Sequence, residues 1–135
     1  MAHWIAKTEP STYSWQRLVA EKKAVWDGVR NAQARNNLAA MKKGDEVLIY
    51  HSGDDRAVVG IAKVTRAAYP DPTADDPKWV AVDLAPVRAL PSPVTLSTIK
   101  ATPALKDIAL VKQGRLSVTP LSAEAYRAIV ALARA

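Results

Sequence analysis

The chain contains no cysteine and no phenylalanine. The first absence excludes a disulfide scaffold and a thiol nucleophile, and it permits a reducing compartment without demanding one. The second leaves Trp and Tyr, four of each, to supply every aromatic side chain. Histidine is nearly missing: His3 and His51 are too few for a His-rich metal site, and no metal or cofactor is expected. No apolar run approaches the roughly 20 residues that cross a bilayer. Residues 1–10 have no basic stretch followed by an apolar core, so no signal peptide is expected. These readings imply a cytoplasmic protein without a membrane partner. The phosphate loop ending in Lys-Ser/Thr, G-x-G-x-x-G, G-x-S-x-G and H-E-x-x-H are all absent.

What is present is an ordinary globular composition, 49% hydrophobic and 24% charged over 135 residues, which is long enough for a proper core. One domain over residues 1–135 and a monomer are the expectations. The net charge of +6 suits a polyanionic partner. The Pro- and Asp-rich segment 69–77 reads as a long loop, not a domain boundary.

One stretch concentrates unusual chemistry. Trp26-Asp27-Gly28-Val29-Arg30-Asn31-Ala32-Gln33-Ala34-Arg35-Asn36-Asn37 crowds an aromatic, two Arg, three Asn and a Gln into one run. Asn31 can cap a helix running to about Met41 or Lys42, and a helix N-terminus favours anions or polar ligand atoms. Trp26, just upstream, could stack on a base. The plainer reading, which composition alone favours, makes Trp26 a core aromatic and leaves Arg30 and Arg35 in solvent.

Around this stretch, period-2 patterning predicts a strand at His3–Lys7, with Trp4 and Ala6 on one face and Ile5 on the other. Ser14 caps a short helix with Trp15, Leu18 and Val19 as its apolar stripe. The second helix buries Ala34, Leu38 and Met41, sets Arg35 and Lys42 on one basic edge, and ends at Gly44 with Lys42 and Lys43 at its negative pole. A hairpin follows, Asp45–His51 returning over Arg56–Thr65, with Gly60 marking a bulge or a close backbone approach. Lys78–Leu84 alternates as a strand, Val87–Leu90 can extend it beyond Pro86, and Trp79 is read as core. Thr95 or Ser97 starts a short helix, Leu116–Val118 is a last strand, and Ser122 caps a helix that buries Ala125, Ile129 and Leu132. Tyr126 on that helix can pack its ring while its hydroxyl meets water. Strands and long helices do not alternate one for one. The fold class is therefore α+β, a bent mixed β-barrel with flanking helices.

Several polar groups have two readings. Glu9, at the end of the first strand, could accept from an exocyclic amine or simply cap a helix. His51 and Ser52 are neighbours on a strand and point to opposite faces, which makes them a poor base and nucleophile. Asp45-Glu46, Asp54-Asp55 and Asp75-Asp76 read as solvated turn carboxylates. Tyr69 could clamp a base together with Trp26, or anchor a loop.

The run from Trp26 to Asn36, with Trp4–Pro10, Gly44-Asp45, Tyr50–Ser52, Val59–Ala62, Ala68–Asp71 and Arg115–Val118, closely resembles the EVE domain family. The resemblance implies a PUA-like fold related to the YTH and ASCH domains. It also implies a non-enzymatic reader of a modified base, above all a modified cytosine such as 5-methylcytosine in DNA, flipped into a pocket. By the same resemblance Trp26 would wall that pocket, with Lys7, Thr8 and Glu9 as polar contacts. Arg30 and Asn31 would stand at the helix start, and Tyr50, His51, Ser52, Tyr69, Arg115 and Ser117 around the mouth. Arg35 and Lys42 are the candidates for the phosphate backbone. An RNA-binding module, a nucleotide-metabolite adaptor, and an enzyme using Glu9 or His51 are the alternatives.

Overall fold

The computed structural model describes residues 2–133. In chain order the elements are β1 (His3–Thr8), α1 (Trp15–Glu21), β2 (Ala24–Trp26), α2 (Ala32–Ala40), β3 (Glu46–His51), β4 (Ala57–Pro70), β5 (Val80–Thr95), α3 (Leu96–Ala101), α4 (Ala109–Lys112), β6 (Val118–Leu121) and α5 (Ala123–Leu132). The strands form one mixed sheet in the order β2-β5-β4-β3-β1-β6. Among the described residues the neighbouring strands β1 and β3 pair in parallel, and the other neighbours pair antiparallel.

Strand alternation explains why helices cover both faces. Trp4 and Ala6 of β1, with Val47 and Ile49 of β3, enter a core that also holds Leu18 of α1 and Ala34 and Leu38 of α2. Ile5, Leu48 and Tyr50 point the other way, into a core closed by Ile99 of α3, Leu110 of α4 and Ile129 of α5. The expected barrel is only loosely met. β2 and β6 are the two edges of the sheet and do not pair, so the sheet is bent but not closed. The bending has a local source: the long β4–β5 ladder shifts register four times, and each irregularity increases local twist.

Gly60 is a close approach as well as a bulge. A Cβ there would lie 2.5 Å from the Trp15 indole, so the ring of α1 packs directly on the strand backbone.

Several expectations are corrected. α2 stops at Ala40, short of Gly44, because the next donors are taken elsewhere. Lys42 N–H goes to the Asp45 carboxylate at 2.9 Å, and Gly44 N–H goes to the Val64 carbonyl at 2.8 Å. Lys42 therefore shares no helical edge with Arg35, and no basic residue stands in the last turn. Asp45 is not solvated: it is buried and also accepts from the Trp4 indole at 3.0 Å. The return strand β4 runs on through Tyr69 and Pro70, where a loop was expected, because Ala81 and Val80 at the start of β5 pair with them; β5 in turn continues past Pro86 to Thr95 along the first half of β4. Val19 is exposed, and Trp79 lies ahead of β5, only half-buried. β6 begins at Val118, α4 was not foreseen, and the Tyr126 hydroxyl meets Glu46 at 2.9 Å where water was expected.

Candidate functional site

Four segments meet at the C-terminal end of β1: the turn after it, the start of α1, strand β2 with the loop into α2, and the residue before β6. They enclose an open cavity of about 470 Å3 lined by Lys7, Thr8, Thr12, Tyr13, Arg17, Trp26, Asp27, Arg30, Asn31 and Ser117, among others. That volume falls within the ordinary range for small-ligand pockets.

Its shape follows from three local devices. Asn31 caps α2, accepting from the Ala34 N–H at 3.0 Å, so the helix starts at the cavity with its remaining first-turn donors. Gly28, at φ +76°, turns the chain between Trp26 and that cap, and its N–H donates to Asp71 at 2.8 Å. Asp71 also accepts from Arg30 Nη1 at 3.0 Å and from both the N–H and the hydroxyl of Thr73. Burial alone would raise this carboxyl, but these donors outweigh it and hold the pKa at about 2. A buried carboxylate from the β4–β5 connection thus holds the loop that carries Arg30.

The Trp26 indole is packed at its base against the core yet borders the cavity. Its aromatic neighbour is Tyr13, edge-on at 6.1 Å. The Tyr13 hydroxyl donates to Glu21 at 2.8 Å, and Arg17 lies over the Tyr13 ring. Burial, then that hydrogen bond, pushes the Tyr13 phenol up to about 12, so it stays neutral. Lys7 Nζ donates to the Gly114 carbonyl at 2.8 Å, and burial lowers its pKa. The Thr8 hydroxyl donates to the Tyr13 carbonyl. An aromatic wall, three cations and several amide or hydroxyl groups suit a flat heterocycle with polar edges. Neither His nor Cys lines the cavity.

Of the residues singled out from the sequence, Trp26, Lys7, Thr8, Arg30, Asn31 and Ser117 come together here. The others lie elsewhere. Glu9 turns back onto Ser11 and packs over Gly53. His51 is buried; its Nε2 accepts the Trp15 N–H at 2.9 Å, and its Nδ1 faces Asp55 at 3.1 Å. Both ring nitrogens are occupied, so the side chain secures the start of α1. Tyr50 and Ser52 border a separate cleft. Tyr69 donates its hydroxyl to Asp83 under the Arg66 guanidinium. Arg115 is exposed two positions from Ser117. Lys42 lies beyond the far end of α2, about 13 Å along the helix from Asn31. Arg35 flanks the half-buried Trp79 ring, with Arg30 and Lys78 also within 6 Å of its centre.

Tyr13, Arg17, Thr12 and Asp71 were not read from the sequence as site residues. Tyr13 carried a signal, an aromatic directly before the Ser14 cap. Asp71 carried a weaker one, the Asp-x-Thr turn. Among the described residues no group of three His, Cys, Asp or Glu could hold a metal ion, and no helix is long and apolar enough to cross a membrane.

The same architecture recurs in known proteins. A solved protein from Rhodopseudomonas palustris superposes with a TM-score of 0.95 at 43% identity, covering 99% of this chain and 94% of that one. Human thymocyte nuclear protein 1 is 34% identical over 97% of this chain and 73% of its own length. The human protein solved in complex with DNA containing 5-methylcytosine matches with a TM-score of 0.93 at 32% identity, covering 100% and 99% of the two chains. An ASCH protein from Zymomonas mobilis, 15% identical with a TM-score of 0.63 over 96% of this chain and 94% of that one, shares the fold alone. The PUA-like α+β architecture is therefore common to all of these. The EVE domain profile matches residues 2–132, nearly the whole length, and with the sequence and structural relatives it places this chain in the EVE domain family.

Proposed function

We propose that this chain is a non-enzymatic module that binds nucleic acid and reads a modified base, a modified cytosine in DNA, flipped into the Trp26 cavity. The observation that carries the proposal is the human relative solved with 5-methylcytosine DNA, whose fold this chain matches along its whole length. The chemistry of the cavity supports it independently. Flipping a base costs a few kcal/mol, which contacts made only by the extruded base must offset. The Trp26 indole offers stacking, with Tyr13 edge-on behind it. Lys7, Asn31 and Ser117 supply polar atoms at the wall. Arg30, Arg35 and Lys78, grouped around Trp79, supply the positive face for the phosphate backbone.

The non-enzymatic part is supported by the human relative solved as a complex with DNA. Neither His nor Cys lines the cavity, and His51 spends both ring nitrogens on Trp15 and Asp55.

The deciding experiment is a binding comparison of matched single- and double-stranded DNA and RNA, each with cytosine, 5-methylcytosine or 5-hydroxymethylcytosine at one position. Preference for a modified DNA strand is the expected result. Preference for RNA would transfer the reading to the 2′-OH. Equal affinity for modified and unmodified strands would remove it.

A further inference from the structure

Lys7 borders two cavities. The second, about 270 Å3, is lined by Tyr50, Ser52, Arg56, Lys100 and the Leu110–Val111 turn of α4 as well as by Lys7. Three cations converge on it, and no carboxylate lines it. None of the three forms an ion pair with a described carboxylate. Their recorded partners are backbone carbonyls: Gly114 for Lys7 at 2.8 Å, Gly53 for Arg56 at 3.3 Å.

The arrangement is built into the backbone. Arg56 sits at φ +43°, a left-handed conformation that non-glycine residues rarely take, and its carbonyl accepts the Leu96 N–H at 2.8 Å, which ties it to the start of α3. Lys100 comes from the last turn of the same helix. Like charges gathered in a half-enclosed cleft repel one another, and burial already disfavours the charged form of Lys7. Carboxylates stand at its margins: Asp54 and Asp55 line the neighbouring cleft on the other side of Arg56 and Lys100, with Asp55 engaged by His51, and Glu9, bonded to Ser11, packs over Gly53. The Lys7 side is left as a cationic hollow.

We infer that the Lys7–Arg56–Lys100 cleft is an anion site that takes a phosphodiester group of the same strand whose base enters the Trp26 cavity. This rests on the base-reading proposal, because the strand is placed by Lys7, the residue common to both cavities. A phosphate there meets three cationic donors without displacing any internal ion pair. The contact carries affinity and register but no information about the base.

The test uses the double variant Arg56→Asn/Lys100→Gln. Asn tolerates the left-handed backbone at position 56, and neither residue lines the Trp26 cavity. Binding of modified and unmodified oligonucleotides is measured against salt, alongside binding of the free modified nucleoside, which has no phosphate. The expected result is a loss of about tenfold for both oligonucleotides, a salt slope shallower by about one, and unchanged nucleoside binding. Unchanged oligonucleotide affinity and slope would overturn the inference. A titration of the parent protein with inorganic phosphate, followed by NMR at residues 52–56 and 96–100, separates the sources. Saturation there together with unchanged oligonucleotide binding by the double variant would overturn the strand assignment in favour of a free phosphate. Failure of the base reading shows differently, as a parent protein indifferent to modification while phosphate still titrates this cleft.

Discussion

The carboxylate of Asp71 holds the guanidinium of Arg30 at 3.0 Å across 41 positions of sequence, with the Asp71 side chain fully enclosed and that of Arg30 41% exposed. The same oxygen accepts the Gly28 N–H. One buried charge therefore fixes both ends of the loop that leads from the Trp26 indole into α2.

Asp71→Asn should preserve the shape of this loop and remove its charge. The pKa of Asp71 is depressed, so the stability it contributes is complete above its ordinary value of 3.8 and is lost as pH falls through about 2. The parent should exceed the variant in unfolding free energy by about 2 kcal/mol near neutrality. Urea unfolding at a series of pH values checks this: the gap must narrow as acid is added, and a gap independent of pH would show that the charge is not what stabilises the loop.

Replacing Trp26 tests the cavity itself. Trp26→Ala should weaken binding to a modified strand by the ~1–3 kcal/mol of one stacked base, and binding to an unmodified strand by much less. The indole is also part of the core, so the truncation should cost about 3–5 kcal/mol of stability. Trp26→Phe is the companion variant that keeps an aromatic face. Calorimetric titration of both with modified and unmodified DNA separates the roles, and equal losses on the two strands would make the indole purely structural.

His51→Ala leaves the Trp15 N–H without its acceptor at the buried start of α1. A loss of about 1–3 kcal/mol in thermal or urea unfolding is expected. Discrimination between modified and unmodified strands should survive below the melting temperature. A variant that stayed stable but lost discrimination would return His51 to the mouth of the site.

Arg35→Ala should lower affinity for any strand and reduce the slope of log affinity against log salt by about one. Lys42→Ala, at the opposite end of α2, should change the slope little. Affinities measured from low to moderate salt decide between them, and equal slopes in the two variants would remove Arg35 from the backbone contact.

Local rules reached the caps of this molecule because a cap is a contact between near neighbours. Ser14, Asn31, Thr95 and Ser122 each accept from the N–H three positions on. Strand faces were legible for the same reason, since alternation separates Trp4 and Ala6 from Ile5 without reference to any other strand. Where strands and helices end was not legible. α2 stops where Asp45 and Val64 compete for its donors, and β4 continues because a long β5 lies beside it.

The site divides along the same line. The contiguous run from Trp26 to Asn31 borders the cavity. Tyr50, His51 and Ser52 are contiguous too, yet the pleat and the packing of α1 send them to the opposite core, the α1 cap and a second cleft. Tyr69, read either as a clamp ring with Trp26 or as an anchor, lies in β4 with its hydroxyl on Asp83, and Tyr13 stands beside the indole.

By itself the amino-acid order determined the family, the capped helices, the two-faced strands and the polar stretch that opens α2, all of them properties of residues within a few positions of one another. Only the tertiary structure decided that a single enclosed carboxylate would anchor that stretch, that the sheet would bend without closing, and that Lys7 would stand between two hollows. Those outcomes depend on donors, charges and rings separated by tens of residues, and their energies arise only once folding has removed the water between them.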